Sequence, residues 1–363
     1  MTFSAADHAL MARALALAAR GRDTATPNPS VGCVIAKDGR VIAEGWHERA
    51  GEPHAEARAL AACPQGAAGA TVYVTLEPCS HHGRTPPCAD ALVAARVARV
   101  VAALEDPNPL VKGQGFARLR SAGIAVETGL LANEAREVHL GFLARLSRGR
   151  PWLRLKSGAS LDGRTALANG RSRWITGEAS RTDVHRLRAR SCAVLTGIGT
   201  VLADDPELNV RHVPCERQPR RVVIDNRLEL PAGAKILAGP APLVITASAD
   251  AAARARVEAL GAEVALVAGE GGKTDLAAVA SLLGERGFNE VLVETGAKLG
   301  GSLLRAGVVD EIVLYLAPLL MGEAAQGLYA LPEFENLAQA LRPRIVDVRR
   351  VGEDLRVTAR LEA

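Results

Sequence analysis

A chain of 363 residues is longer than one ordinary hydrophobic core serves and points to two domains. Its 48% hydrophobic and 23% charged residues are those of an ordinary globular protein. A net charge of only +4, no long same-sign run and 11 aromatic residues exclude a strong nucleic-acid footprint, so the balance favours small-molecule chemistry.

In chain order, MTFSAADHALMARALALAARGR places Leu10, Ala14 and Leu17 at helical spacing. Asp7 stands where a signal peptide would want positive charge, which leaves an amphipathic helix as the reading. VGCVIAKDGRVIAEG reads as a hairpin turning at Asp38-Gly39. HAEARALAACP then predicts a helix, TVYVTLEP a strand, ADALVAARVA a helix and ARVVAALED a strand. A Pro- and Gly-rich loop, EDPNPLVKGQGF, leads to one more helix and strand in GFARLRSAGIAVETG. The basic stretch RLSRGRPW, residues 145–152, reads as a linker. The expected division is therefore 1–147 and 148–363, two α/β domains.

PWLRLKSGAS opens the second domain with Leu153 and Leu155 on one strand face and Arg154 and Lys156 on the other. CAVLTGIG, RVVIDN, PLVITAS, EVALVAG, EVLVETG and EIVLYLAPLL follow as β-rich runs. LTGIGTVL starts like a dinucleotide fingerprint, but Leu202 occupies the third glycine position, so no Rossmann site is read there. In EVLVETGAKLGGSLLRAG a strand meets Gly296, Gly300 and Gly301, and a helix is expected near Ser302, a place suited to phosphate. Residues after about 335 carry no motif. No apolar run of about 20 residues occurs, so no membrane span is expected. Six cysteines in a chain this long do not make a disulfide framework, and a reducing cytoplasm fits them.

The chemistry-bearing stretch is GEPHAEARAL followed by TLEPCSHHGRTPPC. A catalytic zinc takes three protein ligands and keeps one open position. His54, Cys79 and Cys88 supply three, and Glu56 would be the proton carrier of the signature H-x-E…P-C-x-x-C of zinc nucleobase deaminases. The second cysteine departs from that signature, because eight residues, SHHGRTPP, separate the pair. Cys79 is expected to gain thiolate character from a helix N-terminus after Pro78. Three readings stand against the catalytic one: unrelated residues, a structural zinc with His81 or His82 as fourth ligand, and a tRNA-editing deaminase with C-x-x-C and a basic face.

The full PCSHHGRTPPC run, 25 positions after H-A-E, resembles the bacterial bifunctional riboflavin-biosynthesis deaminase/reductases. LKSGASLDGRTA, SRWITGEASR, LTGIGTVLADDPELNVR and VETGAKLGG resemble the reductase half of the same family. The resemblance implies a cytidine-deaminase-like layered α/β/α domain and a dihydrofolate-reductase-like α/β domain. It implies one Zn2+ per chain, NADPH, a pyrimidine ribose-phosphate substrate, and no nucleic-acid or membrane partner; a homo-oligomer is expected. By matching position it puts cofactor contacts on Gly158, Trp174, Thr200, Asp204, Asn226 and Gly296, Ala297, Lys298, Leu299, Gly300, Gly301 and Ser302. Substrate contacts fall on Ser172, Arg188, Leu208, Arg211 and Glu294, with Lys156, Asn28 and His81 as further candidates. Asn226 stands where a compared relative has Ser, and Lys156 and Asp204 are the candidate acids of the reduction.

Overall fold

The computed structural model describes residues 3–80, 86–109 and 111–361. The chain forms two compact units, Met1–Gly149 and Arg150–Ala363.

The first unit runs α1 (Ala5–Arg20), β1 (Gly32–Lys37), β2 (Arg40–Trp46), α2 (Ala55–Ala61), β3 (Thr71–Val74), α3 (Cys88–Ala94), β4 (Arg99–Ala102), α4 (Gln114–Ser121), β5 (Ala125–Thr128) and α5 (Ala132–Arg148). Its sheet has the order β2-β1-β3-β4-β5, with β1 antiparallel to both neighbours and β3, β4 and β5 parallel. The hairpin turns at Asp38 and Gly39, both at positive φ, as a two-residue turn between right-twisted strands requires. Strand residues alternate between two cores. Ile35, Val72, Val74 and Val100 pack with Ala59, Leu92, Phe116 and Leu119 of α2, α3 and α4. Val34, Tyr73 and Val101 pack with Met11, Ala14, Ala135 and Phe142 of α1 and α5. This is the layered α/β/α arrangement the sequence implied.

Helix α5 is absent from the sequence reading. It also takes in Arg145–Arg148, part of the stretch read as a linker, and ends at Gly149 in the left-handed region. The pattern is obscured because its buried side includes His139 and Gly141 as well as Ala135 and Phe142.

The second unit runs β6 (Trp152–Ser160), β7 (Arg164–Ala166), α6 (Glu178–Arg190), β8 (Ala193–Gly197), α7 (Ile198–Asp204), β9 (Arg220–Ile224), β10 (Leu243–Thr246), α8 (Ala251–Ala259), β11 (Glu263–Leu266), α9 (Leu276–Glu285), β12 (Glu290–Glu294), α10 (Ala297–Arg305), β13 (Glu311–Ala317), β14 (Gln326–Gly327), β15 (Arg344–Val351) and β16 (Asp354–Arg360). The main sheet has nine strands in the order β11-β10-β9-β8-β12-β6-β13-β16-β15, parallel except at β13-β16-β15. Helices cover both faces: α9 and α10 lie on the Leu153/Leu155 face, and α6, α7 and α8 on the Val194/Leu292 face.

That double covering decides the fate of Arg154. Only 2% exposed, its guanidinium bonds Glu290 on β12 at 2.9 Å and Glu311 on β13 at 2.5 Å. A buried cation is tolerated only with such partners. The strand order places the C-terminal ends of β8, β12 and β6 side by side, where an α/β sheet offers its ligand crevice. The stretch after 335, silent in sequence, supplies the β15–β16 hairpin.

Candidate active site

In the first unit His54 is the N-cap residue of α2, in extended conformation, and its side chain makes no capping bond. The ring is thereby free to face the cysteines. Its Nδ1 lies 3.6 Å from Cys79 Sγ and 3.4 Å from Cys88 Sγ, and the three donor atoms all fall within 4.8 Å of one another. One nitrogen and two sulfurs converging from separate segments fit a zinc site with an open fourth position. It is the one such donor cluster among the described residues.

Cys79 does not begin a helix, contrary to the sequence expectation. Helix α3 starts nine residues later, at Cys88, whose backbone N–H donates to Cys79 Sγ at 3.3 Å. The Cys88 thiol, the His54 ring and this backbone bond lower the Cys79 pKa against the effect of burial, and the same coupling, with burial, raises Cys88. The His81 assignment, and the His81 or His82 fourth-ligand alternative, lie outside the described residues.

Glu56 sits in the first turn of α2, two residues after His54, and is only 3% exposed. Burial pushes its carboxyl up to about 7, helped by the Cys79 charge and opposed by His54. A carboxyl that titrates near neutrality is matched to both taking and giving a proton.

Sequence reasoning missed two residues that hold this arrangement. His47, buried at the end of β2, has Nδ1 at 3.3 Å from the Pro53 carbonyl and its ring edge-on to His54, centroids 5.2 Å apart. Asn28 donates its amide to His47 Nε2 at 3.1 Å, so one N–H of this candidate substrate contact is already engaged. Glu77, buried just ahead of Pro78-Cys79, accepts four backbone N–H groups, from Asp106, Gly113, Gly115 and Phe116, at 3.0–3.2 Å. It ties the cysteine segment to the start of α4. An Asn in a Pro-flanked turn and a Glu in T-L-E-P-C carry no sequence signal for such contacts.

In the second unit the strand ends bring part of the expected site together. Glu294, at the end of β12, takes a forked bond from Arg188 on α6, at 2.5 and 3.0 Å, and lies 3.8 Å from Lys156 on β6. Burial works to raise the Glu294 pKa, but Arg188 and Lys156 outweigh it and hold it at about 2. Lys156 is lowered, chiefly by burial. Arg188 also donates to the Asn209 carbonyl at 2.9 Å, and buried His185 accepts the Arg211 N–H at 3.3 Å. The Leu208 side chain lies in the core at φ 50, so only its backbone can meet a ligand. Arg211 is exposed and bonds Asn209 at 2.9 Å.

Trp174 is exposed, with the Arg181 guanidinium 4.7 Å from its ring centroid. Arg173, its neighbour, donates to the Asp204 carbonyl at 2.6 Å, linking two expected cofactor contacts. Ser172 precedes this pair, Thr200 is in α7, and the Asn226 side chain accepts the Thr274 N–H at 3.0 Å. Gly158 faces Thr176, whose Cγ2 would lie 3.2 Å from an added Cβ.

The turn expected from Gly296 to Ser302 is corrected. Helix α10 begins at Ala297 with Gly296 as N-cap, so Lys298, Leu299, Gly300, Gly301 and Ser302 are helical. Gly300 and Gly301 are packing glycines: a Cβ on Gly301 would stand 2.2 Å from the Ala330 carbonyl oxygen, and one on Gly300 3.3 Å from the Tyr329 ring. The expected phosphate turn is thereby reduced to Gly296 and the first N–H groups of α10. An added Cβ on Gly197 of β8 would stand 3.0 Å from the Leu299 side chain, so the end of β8 packs against the first turn of α10.

Fold and donor set define a zinc-type deaminase unit followed by a reductase-type α/β unit. Residues 4–104 match the cytidine and deoxycytidylate deaminase zinc-binding region, and residues 151–357 match the RibD C-terminal domain. The chain is 49% identical over 361 residues to the riboflavin biosynthesis protein RibD of Escherichia coli, covering 96% of this chain and 98% of that one. It resembles the solved structure of Acinetobacter baumannii RibD with a TM-score of 0.92 at 44% identity, over 99% of both chains. A diaminohydroxyphosphoribosylaminopyrimidine deaminase/5-amino-6-(5-phosphoribosylamino)uracil reductase from Thermotoga maritima matches with a TM-score of 0.88 at 32% identity, over 98% of this chain and 99% of that one. The chain belongs to the RibD family of bifunctional deaminase/reductases of riboflavin biosynthesis. Zinc and a nicotinamide cofactor go with the two domains. No described helix is long and apolar enough to cross a membrane.

Proposed function

We infer that residues 1–147 deaminate 2,5-diamino-6-(5-phosphoribosylamino)pyrimidin-4-one, and that residues 148–363 use NADPH to reduce its ribosyl arm to ribityl. The observation that carries the reading is the buried Glu56 carboxyl two residues from His54, where His54, Cys79 and Cys88 converge. These three side chains would hold one zinc ion per chain, and zinc when bound makes a water acidic enough to yield hydroxide near neutral pH. Glu56 takes the water's proton, delivers it to a ring nitrogen and hands one to the departing amine. His47 and Asn28 fix His54, and Glu77 fixes the segment that carries Cys79. The tRNA-editing alternative is disfavoured by the missing C-x-x-C and by the attached reductase unit.

In the reductase unit NADPH supplies the hydride. Arg188 and Arg211 offer donors to the sugar phosphate, and Lys156 and Glu294 orient the ribosyl carbon. Gly296 and the start of α10 face the cofactor phosphates, with Gly158, Trp174, Thr200, Asp204 and Asn226 around them. The six cysteines, which form no disulfide, suit a reducing cytoplasm. The partners are this small-molecule substrate and further copies of the chain, without nucleic acid.

Glu56→Gln tests the reading. It should keep its zinc and lose ammonia release by about 100-fold or more. Full ammonia release from the zinc-loaded variant would overturn the role of Glu56.

A further inference from the structure

We propose that His185 of α6 is a positioning residue of the reduction: it holds the backbone of Arg211 and so aims the Arg211 guanidinium at the phosphate of the substrate's sugar arm. This rests on the substrate reading above, which the closing experiment tests separately.

Residues 208–211 lie between α7 and β9 outside any helix or strand, and Leu208 stands at φ 50. A non-glycine residue keeps that left-handed backbone only where its surroundings over-determine it, a condition met most often at functional sites and ligand clamps. Here each of the next three residues is held by a side chain from elsewhere. The Arg188 guanidinium donates to the Asn209 carbonyl at 2.9 Å. Gln218 accepts the Val210 N–H at 2.7 Å and donates to the Val210 carbonyl at 2.9 Å. His185 Nδ1 accepts the Arg211 N–H at 3.3 Å. His185 and Arg188 are three residues apart on α6, hence on one face of the helix, and they grip the two ends of the stretch Asn209–Arg211.

Arg188 has a second task, the forked bond to Glu294, and Gln218 is exposed. His185 is buried in the same helix turn as Val184 and Leu187, which pack into the apolar core. A buried imidazole is costly unless a ring nitrogen has a partner, and the Arg211 N–H is that partner. An Nδ1 that accepts from a backbone N–H is unprotonated, so the neutral ring carries its proton on Nε2. Burial, together with the positive charges of Arg188 and Arg211, lowers the His185 pKa to about 4, and the accepting form is therefore the one present near neutral pH. What the grip serves is the Arg211 side chain. It is exposed, and its Nη1 donates to Asn209 Oδ1 at 2.9 Å. Its base is tied through His185 and its tip through Asn209, both to the same fixed stretch. A guanidinium fork rewards a phosphate most when it is already in place, because an arm ordered only on binding subtracts its lost freedom from the affinity.

The test is steady-state NADPH oxidation by the zinc-loaded full chain with 5-amino-6-(5-phosphoribosylamino)uracil as substrate. His185→Leu should raise the KM for this substrate about 10-fold, with kcat and the KM for NADPH within about twofold of the parent. His185→Asn, whose Oδ1 stands where Nδ1 stood, should restore the parent KM. In an Arg211→Ala background His185→Leu should add nothing, since both changes remove the same interaction. A folded His185→Leu variant with the parent's KM, or an undiminished further rise in the Arg211→Ala background, would overturn the proposal. If His185→Leu does not fold, His185→Gln takes its place. Its amide falls at the Nε2 position, so its KM should rise while that of His185→Asn does not, and equal values overturn the proposal. A parent that leaves NADPH unoxidised overturns the substrate reading, and the proposal with it.

Discussion

Replacing Glu294 by Gln keeps the shape of the side chain and removes the charge that Arg188 and Lys156 share. The Glu294 carboxylate is held at about 2 against an ordinary value of 4.5, and its side chain is 11% exposed, so little of the effect is lost to solvent. At about 1.4 kcal/mol per pKa unit, that difference corresponds to about 3 kcal/mol of linked stability. Breaking a buried pair by removing one partner costs about the same, 3–5 kcal/mol. The folded pKa is depressed, so the contribution is present above the unfolded value, near 4.5, and is lost as pH falls through about 2. Urea unfolding followed by tryptophan fluorescence suits the question, since Trp152 and Trp174 lie in the second unit. At pH 7 Glu294→Gln should lose about 3 kcal/mol, lowering the melting temperature by roughly 6–12 °C. The gap between parent and variant should close as the parent is taken to pH 2–3. A loss under about 1 kcal/mol, or a gap independent of pH, would mean that the Glu294 charge does not stabilise the second unit through Arg188 and Lys156.

Other expectations concern single features. Gly301→Ala forces a Cβ onto the Ala330 carbonyl and should cost about 1–3 kcal/mol or more, whereas Gly296→Ala, with nothing within 4 Å of the new Cβ, should cost under about 1 kcal/mol, the loss Ala brings at an N-cap; thermal scans decide. His139, fully buried, has its pKa lowered to about 4, chiefly by burial. Its neutral form is the folded form, so about 3 kcal/mol of first-unit stability should be lost as pH falls from 6.5 to 4, and His139→Gln should flatten that slope in amide exchange of α5. Cys88→Ser should cut bound zinc well below one per chain by elemental analysis while the secondary structure, read by circular dichroism, stays intact.

Much of the fold was legible because its strands are short apolar runs between Gly, Pro and polar turns, and its hairpin turns at Asp38-Gly39. The convergence of His54, Cys79 and Cys88 was legible because the chemistry of a metal site restricts its donors to few residue types. What escaped reading depended on tertiary contact. Helix α5 hides a buried histidine and glycine in its apolar stripe. The start of α10 was misplaced because Gly300 and Gly301 look like a turn, yet the Tyr329 ring packed against the first and the Ala330 backbone against the second explain their lack of a side chain. His47 and Glu77 act through backbone carbonyls and N–H groups that no residue pattern records. The β15–β16 hairpin alternates arginine with aliphatic residues, and its two faces differ only once α6 occupies one of them.

Two reactions are expected to occur in order on one chain. That order is tested most directly by giving the zinc-loaded protein the diaminopyrimidine ribosylamine phosphate and following ammonia and NADPH separately. One equivalent of ammonia is expected without NADPH, then oxidation of one equivalent of NADPH on its addition, with both steps absent when Glu56→Gln is given the same substrate. No ammonia from the zinc-loaded parent, or undiminished NADPH oxidation by the variant, would contradict it.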